Sequence, residues 1–156
     1  MKTLLKKNKK FVQGIYNPKH NQKYKGTFPI IYRSKMELLA FRYFDNSPNV
    51  ISWGSESVII PYQSPIDKKM HRYFVDMVAE IKMKDNTIKK ILVEVKPEKQ
   101  TTSPIITNKK SQKTIIYEKY TYALNCAKWD AAQRWAKNKG YIFFILTEKH
   151  LNNNDF

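Results

Sequence analysis

The sequence predicts an α/β fold with a mixed central sheet flanked by helices and a basic arm ahead of it. Three observations carry this expectation. Residues 91–96, Ile-Leu-Val-Glu-Val-Lys, alternate as a strand does: Ile91, Val93 and Val95 take one face, and Leu92, Glu94 and Lys96 take the other. Residues 111–139 carry apolar side chains at helical spacing, and a continuous apolar run from Tyr141 to Leu146 follows directly, as expected of a strand covered on both faces. The first acid in the chain is Glu37, so a block of unopposed lysines precedes the patterned part.

Composition narrows the function classes. A chain of 156 residues suits one domain with a real core, and 42% hydrophobic residues mark a folding sequence. Lysine and arginine number 29 against 13 acids, a formal charge of +16, which favours a polyanionic partner. No apolar run approaches the roughly 20 residues of a spanning helix, so a membrane is not expected as partner. The lysine-rich start lacks the apolar stretch of a secretory leader, and a cytosolic compartment is expected. The single cysteine, Cys126, rules out an intrachain disulfide and a cysteine-rich zinc site; on an apolar helix face it reads as a small core residue.

Residues 1–29 form the expected arm and residues 30–156 the expected domain. The arm holds eight lysines and no acid, with Tyr16 and Tyr24 interspersed, and reads as a segment that tracks nucleic-acid phosphates. The plainer reading is a solubilising tail. Gly14, Asn17-Pro18 and Gly26 keep regular structure there short, and Phe28 to Tyr32 makes an extended lead-in. Arg33 to Phe44 is the first helix, with Met36, Leu39, Ala40, Tyr43 and Phe44 at helical spacing. Ser34 caps it, Glu37 completes the S-x-x-E capping box, and Asp45 to Asn49 ends it.

Val50 to Trp53 is a short strand, Gly54 turns the chain, and Ser57 to Tyr62 is a second strand with Pro61 near its end. After a polar connection over 63–70, His71 to Lys82 reads as one long strand. Lys84-Asp85-Asn86-Thr87 turns it, and Ile88 to Lys96 returns antiparallel until Pro97 stops it. Glu98 to Lys110 is a polar loop. The long helix of 111–139 places Ile116, Tyr120, Ala123, Ala127 and Trp135 near one stripe and ends at Gly140. After the strand 141–146, residues 148–156 are a short helical turn and a polar tail.

The candidate chemistry lies where the two longest strands meet. The run Tyr73-Phe74-Val75 ends in Asp76, and 17 residues separate Asp76 from Glu94, a gap that suits a hairpin turning at Asp85-Asn86. Such a hairpin brings Asp76, Glu94 and Lys96 to one sheet edge. Two carboxylates fix a hard cation through oxygen, with the carbonyl of Val95 between the site residues as a third ligand. Lys96 then orients an attacking water or neutralises charge on a phosphate. This is the local pattern of metal-dependent phosphodiester hydrolysis, although Val-Glu-Val-Lys alone is ordinary alternation in a strand with one wet face. Glu37 joins the set only if the N-terminus of its helix faces the same edge, since capping alone accounts for it. Glu80 falls at the far end of the hairpin, His71 reads as a strand-end residue, Lys119 as an exposed helix lysine, and Trp129 and Trp135 as core or partner-facing.

Asp76 followed by Glu94-Val95-Lys96, with Glu37 on an upstream helix, resembles the PD-(D/E)xK nuclease signature. The section from Glu37 to Lys96 looks like the transposase-type endonuclease branch, in the order Val50, Trp53, Pro61-Tyr62, Tyr73 to Asp76, Glu94 to Lys96. The whole chain, small and with a basic N-terminal arm, resembles the head-completion nucleases of tailed phages. Val75 stands where proline is usual before the aspartate, and Ser55-Glu56-Ser57 replaces a common Gln-Pro pair. The resemblance spans about Ser34 to Thr147. It implies a restriction-endonuclease-like core. It also implies a catalytic set of Glu37, Asp76, Glu94 and Lys96, and magnesium (or manganese) held by Asp76, Glu94, Val95 and Glu37. The implied partners are DNA and phage head and neck proteins, in the host cytoplasm during assembly and in the virion. Two rivals stand beside it: a DNA-binding connector of the virion without turnover, and an RNA-binding module, which leaves Asp76 unexplained.

Overall fold

The structure is a computed structural model and describes residues 12–153. Its centre is a four-stranded mixed sheet of β3 (Val50–Ser55), β6 (Met77–Lys82), β7 (Ile88–Val95) and β8 (Tyr141–Leu146), in that spatial order. β6 and β7 are the expected hairpin, with Met77 opposite Val93. Its turn is closed by Asp85, whose carboxylate accepts the Thr87 N–H, and by Asn86 at a left-handed φ of 66°. β8 returns parallel to β7, with Glu94 beside Ile145, after the crossover through α2 (Gln112–Lys139). Ser111 caps α2 at its start, and Gly140, at φ 76°, supplies the left-handed turn that ends it.

Both faces of the sheet are covered. On one lies α1 (Lys35–Asn46), whose Phe41 and Phe44 pack with Val50, Trp53, Val93 and Val95. On the other lies the C-terminal half of α2, whose Ala131, Ala132 and Ala136 pack on Leu92, Tyr73 and Val75. Leu92 is fully buried and Glu94 is 5% exposed, so the second face of β7 is dry, whereas simple alternation leaves it wet. A separate hairpin, β4 (Ile59–Gln63) with β5 (Met70–Phe74), extends the α2 side. The chain closes with α3 (Glu148–Asn153).

Four further expectations change. Gly54 does not turn the chain, because β3 runs through it, opposite Val78, to Ser55. The long strand over 71–82 is two strands, because β5 pairs with β4 while β6 pairs with β3 and β7. The chain crosses between sheets at Val75-Asp76, tied there by Val75 N–H to the Val58 carbonyl (3.0 Å) and by Glu56 N–H to the Asp76 carbonyl (3.1 Å). Apolar alternation runs unbroken through this crossing, so nothing in the pattern marks it.

The arm is also packed from Gly14 onward. β1 (Gly14–Tyr16) pairs with β2 (Ile30–Tyr32), and Tyr16 and Tyr24 are core residues around Trp53, with ring centroids 6.0 and 4.8 Å from it. Both rings are buried. Lys23 Nζ donates to the carbonyls of Asp45 (3.2 Å) and Ser47 (2.7 Å), capping the C-terminus of α1, which runs two residues past Phe44. The lysine-rich stretch 1–11 and the last residues of the tail, 154–156, lie outside the described residues.

Finally, Ile116 and Tyr120 are 49% and 58% exposed. The buried positions of α2 start at Asn125, so its first three turns project beyond the sheet.

Candidate active site

Strand register builds the site. With Met77 opposite Val93, Asp76 at the mouth of β6 reaches the end of β7, and its Oδ2 accepts the Val95 N–H at 2.8 Å. The carboxylate thus takes over where the backbone ladder of β6 stops. Glu94 is held from two sides: the Tyr73 hydroxyl donates to Oε2, and Lys96 Nζ lies 3.3 Å from Oε1. Lys96 is fixed in turn by its N–H to the Leu146 carbonyl of β8, at 2.9 Å.

Glu37, in the first turn of α1, makes only local hydrogen bonds among the described residues and does not converge with Asp76 and Glu94 on one point. Ser34 Oγ accepts the Glu37 N–H at 3.0 Å, and Glu37 Oε2 accepts the Arg33 N–H at 2.7 Å, a capping arrangement displaced by one residue from the usual box. Its charge still acts on Asp76. Glu56 is a turn residue at φ 52°, ion-paired with Arg33.

The electrostatics are those of crowded acids. Burial, then the charge of Glu94, pushes the Asp76 carboxyl well above the usual range; Glu37 adds to this, while the Val95 N–H and Lys96 oppose it. Burial also raises Glu37, with Glu56 and Glu94 adding to it against the Arg33 N–H. The Tyr73 hydroxyl is driven far up by burial and then by Glu94, so it stays a donor to that carboxylate.

Among the described residues no three carboxylate, imidazole or thiolate side chains converge to hold an ion by themselves. The donor set nonetheless suits a hard cation of the magnesium kind. Such an ion takes one or two carboxylates, keeps several waters, and leaves room for phosphate. Asp76 and Glu94 with the Val95 carbonyl would meet that need, and positive charge there would offset the burial and the Glu94 charge that raise Asp76.

Of the residues set aside from sequence, Glu80 pairs with Lys90 (3.9 Å) and His71 with Asp67 (2.7 Å), both on exposed hairpin surfaces. Trp129 is buried, Trp135 packs against Tyr141 with the rings tilted by 57°, and Cys126 is half-buried. The Tyr73 hydroxyl is the contact that pattern reading missed. Its signal in the sequence is its place three residues before Asp76, at the end of β5 just before the chain crosses to β6.

A mixed sheet whose paired strand ends bring an aspartate against a Glu-x-Lys unit, with a helix on each face, defines a nuclease of the PD-(D/E)xK type. Comparison narrows this class: residues 47–148 match the family described as TnsA-like endonuclease N terminal, and the chain belongs to it. It is also similar to the head completion nuclease of Enterobacteria phage T4, 39% identical over 143 residues that cover 88% of this chain and 92% of that protein. Among the described residues no helix is long and apolar enough to cross a membrane.

Proposed function

We propose that the protein is a magnesium-dependent deoxyribonuclease acting at phage head completion, with Asp76, Glu94 and Lys96 as its centre. The observation that carries this is the meeting of Asp76 with Glu94-Val95-Lys96 through the 2.8 Å bond from Val95 N–H. Membership of an endonuclease family and the likeness to a head completion nuclease support the biological setting.

In this reading Asp76, Glu94 and the Val95 carbonyl would hold the magnesium ion. When bound, the ion acidifies a coordinated water and offsets charge growing on the phosphate oxygens. The protein's own groups do the positioning. Tyr73 locks one oxygen of Glu94 and leaves the carboxylate a single rotamer to present. Lys96 sits on the other oxygen with a compact ammonium, ready to hold the water or the phosphate. Glu37 adds negative charge that strengthens cation binding. The +16 surface draws DNA to the site and makes its affinity fall with salt. The setting is the host cytoplasm during assembly, with head and neck proteins as partners and the finished virion as a further location.

Plasmid cleavage tests the reading. Purified protein is expected to nick or linearise DNA with magnesium and not with EDTA, and Glu94→Ala to abolish cutting while folding normally. Binding without cutting, unchanged by Glu94→Ala, replaces the nuclease by a DNA-binding connector.

A further inference from the structure

Lys128 stands apart from the other lysines. It is half-buried on the sheet-facing side of α2, and its Nζ lies 5.8 Å from the ring centre of Tyr62 and 5.7 Å from that of Tyr73. These two rings are themselves buried and meet edge to face, with centroids 6.5 Å apart. The ammonium therefore sits in a two-walled aromatic notch that fixes its position through cation–π attraction. Tyr73 is the residue whose hydroxyl holds Glu94, so the notch lies one ring away from the acids.

A lysine in such a place ordinarily answers a nearby carboxylate, and among the described residues none pairs with it. Among the described residues the ion pairs engage Arg33, His71, Lys90, Lys96, Lys110 and Lys149, and Lys128 is in none of them. Asp67, the acid whose charge reaches the Tyr62 hydroxyl, is occupied by His71 and by the Lys69 N–H (2.9 Å). The rings satisfy the charge only partly: aromatic faces accept no N–H···O bond, so the three donors of the ammonium remain open to an oxygen anion. Held beside an acid cluster rather than within it, the group does not relieve the Asp76–Glu94 repulsion. Its position suits an anion that arrives with the substrate.

We infer that Lys128 is a binding residue for a backbone phosphate of the DNA strand lying next to the scissile one, with Tyr62 and Tyr73 as the walls that hold its ammonium in place. The inference rests on the nuclease reading for the identity of the strand. It adds a contact on the long helix to a site otherwise built from strand ends.

The test is binding of a short fluorescein-labelled DNA duplex to the full chain by anisotropy, in EDTA, across a range of salt concentrations. Lys128→Met keeps the stem against the rings and removes the charge. It is expected to weaken binding about tenfold and to reduce the slope of log K against log salt by about one. In magnesium the loss is expected in KM. Lys128→Arg is expected to retain the slope; its loss in that variant overturns the inference. Lys128→Gln gives the same reading should Lys128→Met fold poorly, and an unchanged slope in the neutral variants also overturns it. Because EDTA removes cleavage, the two readings fail separately. A wild-type protein that binds but never cuts refutes the nuclease, while an unaltered salt slope refutes the phosphate contact alone.

Discussion

One aspartate lies in the last turn of α1 and another leads into β6, and their surroundings are opposite. Asp45, in the last turn of α1, is completely buried and accepts three donors: the Tyr16 hydroxyl (2.9 Å), the Lys19 N–H (2.7 Å) and the His20 N–H (3.2 Å). Asp76, entering β6, accepts one N–H and meets the charges of Glu94 and Glu37, with the charge of Lys96 set against them. Donors gathered around a carboxylate stabilise its charge and tie distant chain segments together. Acids gathered around a carboxylate oppose it, and only the surrounding fold keeps it there. Burial alone therefore does not mark a functional acid; what its neighbours offer does.

Substituting each aspartate tests the contrast most severely. Asp76→Asn keeps the shape and an acceptor for Val95 N–H. It is expected to lower cleavage by about a thousandfold, some 4 kcal/mol of barrier, and to raise the melting temperature in EDTA. Asp45→Ala strands three donors and is expected to cost about 3 kcal/mol in urea unfolding, with cleavage per folded molecule kept. A stabilised Asp45 variant, or an Asp76 variant that melts early, breaks the comparison.

The tyrosines that donate to buried acids sharpen it. Tyr16→Phe is expected to cost about 1 kcal/mol of stability and no activity, while Tyr73→Phe frees Glu94 and is expected to lower cleavage about tenfold.

The smallest effect is a pH slope. Asp76 and Glu37 have raised folded-state values, so the folded chain holds their protons more tightly than the unfolded chain does. Stability in EDTA is therefore expected to be greatest at low pH with respect to these groups. It should fall as pH rises from the ordinary carboxylate range through the raised one, and the fall should flatten in Asp76→Asn. Magnesium is expected to reverse the trend, because it binds the ionised acids.

Much of this arrangement is legible in the sequence where one residue decides a local geometry. Ser34 with Glu37, Asp85-Asn86, Ser111 and Gly140 each mark a boundary the structure keeps, and the hairpin they help frame brings Asp76 to Glu94. Legibility stops where tertiary pairing decides. The alternation through 71–82 says nothing of a change of sheet at Asp76. Helical spacing of Ile116 and Tyr120 says nothing of whether a sheet lies beneath them. Tyr16 and Tyr24 sit among lysines, so local charge points to a tail while the aromatic rings serve the core. Lys128 looks like any helix lysine until Tyr62 and Tyr73 arrive from another hairpin.

The parallel partner of β7 has a consequence for how the enzyme comes into being. Glu94 and Val95 lie beside Ile145 and Leu146, and the Lys96 N–H is held by the Leu146 carbonyl. A ribosome must therefore add some fifty residues after the Glu-x-Lys unit before that unit gains its second neighbour. Until then β7 is an open edge and Lys96 has no anchor. A nascent chain thus carries the Glu-x-Lys unit without its final surroundings, which form only once β8 is free to pair with β7.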